Sequence, residues 1–251
     1  MRESLLLGRR ALREALRTPD SLFPALFIPL FFMIVNVGQA GRIFPSGTTD
    51  FLRGQGYAAF QLPASILTAA SFGSAALYLV EEIEGGYFDK LRATPVSRFA
   101  IVTGRLYAEV VKIVVVSTVM ILIAYAFDVH VESGVLGYLV LLVLAAIYGI
   151  AFSGFMQLIA LKTRSAAATN AASMVFFPLL FVTPQFVPRN LLTRPMEIAA
   201  TINPVTYVME AVRSLILEHF DWAVIGKGFA VAAGAMVLSM YLNIRTISRY
   251  D

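Results

Sequence analysis

The chain has 251 residues, of which 58% are hydrophobic and 14% charged, with a net charge of +4 and no cysteine. Soluble domains carry about 25% charged residues, so this composition excludes a water-soluble globule and points to lipid as the solvent. The absent cysteine excludes disulfides and thiolate metal sites, and His130 and His219 lack ligand spacing, so no metal is expected.

A bilayer core of about 30 Å needs roughly 20 apolar residues at the helical rise of about 1.5 Å per residue. Ahead of the first such run, residues 1–20 predict an amphipathic helix. Its sequence LLLGRRALREALR sets Leu5, Leu12 and Leu16 on one face and Arg9, Arg13 and Arg17 on another. Such a helix lies in the headgroup plane with its arginine stems snorkelling, and it serves as a topology anchor or as a link to a partner. The first span is predicted at 22–40. A basic stretch before an apolar run also describes a secretory signal, and VGQA at 37–40 has small residues suited to cleavage. The run is longer than a usual signal core and holds Pro24 and Pro29, so an uncleaved span is expected. The second span is predicted at 57–80, with Pro63 and an isolated Gln61 expected to bond across helices.

The stretch EEIEGGYFDKLRATPVSR, residues 81–98, follows. Glu81, Glu82 and Glu84 leave the span, and Gly85 and Gly86 permit a sharp turn. Tyr87, Phe88 and Leu91 then fall at helical spacing opposite Asp89, Lys90 and Arg92, and Pro95 ends this short amphipathic helix. A loop that only returns the chain needs a handful of polar residues. Apolar knobs ringed by charge instead read as a protein-docking element, with a helix resting on headgroups as the plainer reading.

The third span, 101–127, carries Arg105, Glu109 and Lys112 along one side, a trio expected to neutralise itself. The fourth span is predicted at 134–161, with Gln157 another candidate for interhelical bonding, and the fifth at 166–187, with Pro178 inside it. Phe177 and Phe181 in the fifth, with Phe27 and Phe31 in the first, are candidates for an apolar substrate path at a dimer seam, although most phenylalanines in a membrane protein face lipid. Residues 188–222 form an external segment too polar to span in full. Within it Asn203 is placed to cap a helix starting at Pro204. Tyr207, Val208, Ala211, Val212 and Leu215 make its apolar face, against Glu210, Arg213 and Ser214. The sixth span is predicted at 223–244.

Orientation follows from basic residues near span ends. Twelve (Arg2, Arg9, Arg10, Arg13, Arg17, Lys90, Arg92, Arg98, Lys162, Arg164, Arg245 and Arg249) share one side, against five (Arg42, Arg53, Arg189, Arg194 and Arg213) on the other. Both termini and residues 81–98 are therefore expected in the cytoplasm. Scattered among apolar runs, these cations match membrane lipid headgroups and not nucleic acid.

Glu84-Gly85-Gly86, Leu91-Arg92 and Pro95-Val96-Ser97-Arg98 together resemble the cytoplasmic loop of type-2 ABC transporter permeases of the bacterial multidrug and antibiotic-resistance exporter kind. INPVTYVMEAVRSLI at 202–216 resembles the Asn-Pro segment that precedes the last span in that family. The likeness covers nearly the whole chain, with one departure, Gly86 where a threonine is common. It implies an all-α fold of one transmembrane domain over 1–251, with spans one to five in 22–187, a re-entrant outer segment and a sixth span, in a bacterial plasma membrane. It further implies that residues around 84–95 form a coupling helix seated on a separate cytoplasmic ATPase, with Tyr87, Phe88 and Leu91 as anchors and Lys90 and Arg92 orienting them. Asn203, Pro204, Tyr207, Glu210 and Arg213 would belong to an external gate. Two ATPase subunits and a second permease, self or sibling, are implied as partners.

The sequence has no G-x-x-x-x-G-K-[ST] loop, so ATP and Mg are expected in the partner and no cofactor on this chain. The expected role is permease subunit of an exporter of amphiphilic drugs or antibiotics, with lipid-linked glycan or polysaccharide as alternative cargo. An intramembrane enzyme lacks support, since neither H-E-x-x-H nor G-x-S-x-G occurs. A channel would need a ring of filter residues.

Overall fold

The computed structural model describes residues 19–72, 75–94 and 97–248; the amphipathic segment with Leu5, Arg9 and their neighbours, and also Pro95, lie outside the described residues. Ten α-helices and no strand occur among the described residues: α1 (Pro19–Ala40), α2 (Tyr57–Ser71), α3 (Ala75–Glu84), α4 (Tyr87–Arg92), α5 (Arg98–Tyr125), α6 (Gly134–Thr163), α7 (Ala166–Phe181), α8 (Arg194–Ile202), α9 (Pro204–Leu217) and α10 (Trp222–Ser248). Five stretches are long and apolar enough to cross a membrane: Phe23–Ala40, Tyr57–Glu84, Thr103–Tyr125, Gly134–Thr163 and Trp222–Ser248. The molecule is an all-α membrane protein, as its composition required.

Two predicted spans differ in detail. The second is interrupted: Phe72, at φ −82° and ψ 53°, leaves helical geometry between α2 and α3. Thr68 and Ser71 donate their hydroxyls back to the carbonyls of Ala64 (2.7 Å) and Leu67 (2.9 Å), a pattern that bends helices. The freed Phe72 carbonyl accepts a hydrogen bond from Lys112 Nζ at 3.0 Å. The fifth, expected through 187, is helical only to Phe181. Its 16 residues reach about 24 Å, less than a bilayer core. Thr183 precedes Pro184, and a residue before proline is disfavoured in the helical region.

The larger core forms around α2, α6 and α9, flanked by α5 and α10. Close approach depends on small residues. A Cβ on Gly228 would meet the Ala211 Cβ at 2.4 Å and the Tyr207 carbonyl oxygen at 3.0 Å, so α9 and α10 touch backbone to backbone. Between α6 and α10, Asn243 Nδ2 donates to the Gly154 carbonyl at 2.7 Å. The smaller core joins α3 and α4 to α5, α6 and α10 through Leu79, Val80, Phe88, Leu106, Met156 and Ile247.

Candidate functional site

The chemistry gathers at the two ends of the bundle. At one end, α3 stops at Glu84 because Gly86 takes φ +68°, the left-handed region that disfavours side chains and β-branched ones most. The amides of Gly85 and Gly86 donate to Glu81 (2.8 Å) and Ile83 (3.1 Å), closing the helix end. α4 then runs back against the bundle and divides its aromatic pair. Phe88 is 1% exposed within the smaller core, whereas Tyr87 is 37% exposed. Glu84 and Lys90 are exposed, and Leu91 and Arg92 belong to the last turn of α4. Phe88, expected among outward anchors, therefore packs inward and holds α4 to its own chain.

The charged trio of the third span is arranged in two pairs. Lys112 Nζ meets Glu109 Oε2 at 2.6 Å, both side chains 4% exposed. Arg105 pairs with Glu82 of α3, a partner outside the trio. α5 is thus joined by charge to the segment that carries α4.

At the opposite end, Asn203 does two jobs. Its Oδ1 accepts from the Val205 amide at 3.0 Å, capping α9 with Pro204 at the first position, as expected. Its Nδ2 donates to the carbonyls of Leu179 (2.6 Å) and Val182 (3.0 Å), which ends α7. Glu210 accepts from Arg189 Nε (3.1 Å) and Nη2 (2.6 Å), and that guanidinium lies 5.2 Å over the Tyr207 ring. The Tyr207 hydroxyl donates to the Thr201 carbonyl at 2.8 Å.

The predicted polar face of α9 is corrected: Arg213 and Ser214, at 8% and 7% exposure, are buried along with Val208, Ala211, Val212 and Leu215. Phe60 lies under the Arg213 guanidinium at 3.7 Å, and its Nη2 donates to the Pro184 carbonyl at 2.8 Å. Burial pushes the Arg213 pKa down to about 10, partly offset by Glu210 and Tyr57, which leaves the side chain cationic at neutral pH.

The sequence profile of the ABC-2 type transporter family matches residues 2–217. The chain belongs to this family. Daunorubicin resistance ABC transporter permease protein DrrB1 of Streptomyces coeruleorubidus is similar to it, at 23% identity over 242 residues, 94% of this chain and 82% of that protein. Probable doxorubicin resistance ABC transporter permease protein DrrC of Mycobacterium tuberculosis (strain CDC 1551 / Oshkosh) is 24% identical over 217 residues, 86% of this chain and 77% of that protein. The same match is found for strain H37Rv.

In this ABC-2 permease the candidate path residues separate into two groups. Phe27 and Phe31 stack at 6.0 Å on the exposed face of α1, continuing from Phe23. Phe177 and Phe181, 5.2 Å apart on α7, line a narrow crevice with Phe32, Asn36, Gln61 and Gln185. Gln61 bonds across helices as expected, donating to the Gln185 carbonyl at 3.1 Å and accepting from Asn36 at 3.3 Å. Gln157 is buried, but its Nε2 finds no acceptor. Sequence reading missed Gln55. Its Nε2 contacts the carbonyls of His130 (3.0 Å) and Ile216 (3.1 Å), and its Oε1 accepts from the His130 amide (3.0 Å). A lone amide in a short polar loop gives no periodic signal.

Proposed function

We propose that this ABC-2 permease is the membrane-spanning subunit of an ATP-driven exporter of amphiphilic drugs or antibiotics. It works paired with a second permease chain over two separate cytoplasmic ATPase subunits, which hold the ATP and Mg. The residues 84–95 end, with both termini, faces the cytoplasm of a bacterial cell, and the α8–α9 segment re-enters the outer leaflet beside the exit. The division of α4 carries this reading. With Phe88 locked into the bundle, force applied to Tyr87, Lys90 and the charged residues beside them is transmitted to α3 and, through Glu82 and Arg105, to α5.

Nucleotide binding would draw the ATPase subunits together, move the α4 helices and favour an outward-open arrangement, a shift between two states by differential affinity. Drug cargo is supported by the anthracycline-resistance names of the relatives. The stacked phenylalanines of α1 and the α7 crevice offer the apolar surface such cargo needs. The test is co-expression with the cognate ATPase. Tyr87→Ala with Lys90→Glu should abolish co-purification and drug-stimulated ATP hydrolysis while the permease still folds; undiminished co-purification overturns the coupling assignment.

A further inference from the structure

A second crevice, of about 110 Å³ and apart from the one that Phe177 and Phe181 line, opens between α6, α7, α9 and α10. Its depth follows from the helices that build it. Tyr148, Ala151 and Phe155 come from the middle of α6, and Val231, Ala232 and Ala235 from the middle of α10, both long and apolar enough to cross a membrane. α9 gives an independent measure. Its last turn is held at the start of α6, where the Ser133 hydroxyl donates to the Leu215 carbonyl. From Leu215 back to Pro204, which lines the crevice, is about 16 Å along the helix, roughly half of a bilayer core. The crevice therefore lies near the bilayer midplane.

Its lining is almost wholly apolar, with no charged residue among the described residues. The Tyr148 hydroxyl is 2.9 Å from Ser71 Oγ, and the helix ends that meet here are served by Asn203, which accepts from the Val205 amide and donates to the Leu179 and Val182 carbonyls. A headgroup or a polar drug substituent would lose its hydrogen-bond partners in such a place, and a water would find too few. Leu179 is exposed and Phe152, Phe155 and Val205 are half-buried, so the crevice has an open side. At that depth the surroundings are hydrocarbon. Since an apolar cavity of about 150 Å³ admits benzene, this crevice has room for the last few carbons of a chain. The gain comes from dispersion contacts that an unfilled void forfeits, because a lipid tail is as apolar as the side chains it leaves or joins.

We propose that this crevice holds the methyl end of a bilayer lipid's acyl chain, which props the first turn of α9 against the middle of α6. The assignment requires only that the chain crosses the membrane, so it stands or falls apart from the ATPase partner and the cargo.

The test uses the full chain in phosphatidylcholine nanodiscs doped with a phosphatidylcholine that carries a photoreactive diazirine near the methyl end of one chain, with adducts mapped by mass spectrometry after irradiation. Phe155, Leu179 and Val205 should be labelled several-fold more than Val237 and Leu238, exposed residues within a turn of Ala235 on α10. Ala151→Leu fills the crevice from a buried position and Ala235→Phe from a half-buried one. Each should bring the crevice labelling down to the level at Val237 and Leu238, and Ala235→Phe reports even if Ala151→Leu fails to fold. Crevice labelling in the parent no higher than at Val237 and Leu238, as a second copy seated on the opening would give, overturns the assignment. So does equal labelling of the crevice by the same lipid with the diazirine on its headgroup, or labelling that survives Ala235→Phe.

Discussion

Gly228 and Asn203 show how single atoms hold the far end together. A methyl at 228 would sit inside contact distance of the Ala211 Cβ, so Gly228→Ala should separate α9 from α10 and cost about 1–3 kcal/mol despite its gain in helix propensity. Adding Ala211→Gly should recover part of that loss, read as a positive coupling in a double-mutant cycle of Tm values. Asn203→Asp separates the two roles of that side chain. The carboxylate still caps the Val205 amide but turns repulsive oxygens on the Leu179 and Val182 carbonyls. It should destabilise at least as much as Asn203→Ala, by about 2 kcal/mol in unfolding titrations. The cap was legible from Asn-Pro alone. The second role was not, because the carbonyls it serves lie 21 and 24 residues away.

At the scale of elements, the interruption of the second span at Phe72 depends on a lysine from the third. Lys112 both neutralises Glu109 and satisfies the Phe72 carbonyl, so Lys112→Met leaves a buried carboxylate and strips that carbonyl of its donor. A loss of about 3–5 kcal/mol is expected. The double variant Glu109→Gln with Lys112→Met should lose less than Lys112→Met alone, measured by thermal unfolding in detergent. Hydropathy located the helices, since each predicted span overlaps one or two helices of the structure. It missed the interruption because Ser71, Gly73 and Ser74, small and only weakly polar, barely lower the hydropathy of a long window, and it ran past Phe181 because windowed hydropathy takes no account of Pro184 or of a side chain reaching back from Asn203. The buried face of α9 was illegible for a related reason: Arg213 and Ser214 read as polar by type, and only Phe60 and Pro184 arriving from elsewhere cover them.

At the scale of the molecule, the proposed topology predicts that a reporter fused at Asp89 is active on the cytoplasmic side and one in the 41–49 loop on the outer side. The reverse result would leave α4 out of reach of an ATPase. The short amphipathic helix α4 was readable as a pattern of knobs and charges, but which aromatic faces in and which faces out depends on the direction α4 takes after Gly86, a backbone angle and not a composition. The far end carries its own mechanical implication through Gln55. One amide there staples the loop before α2 to both the 128–133 loop and the last turn of α9, and the Ser133 hydroxyl adds a second fastening on the Leu215 carbonyl. Prising these strands apart individually would strip several buried carbonyls of donors at the same moment. So fastened, this end would tilt as a single plate, and under the proposed topology a doorway for cargo would open along its perimeter.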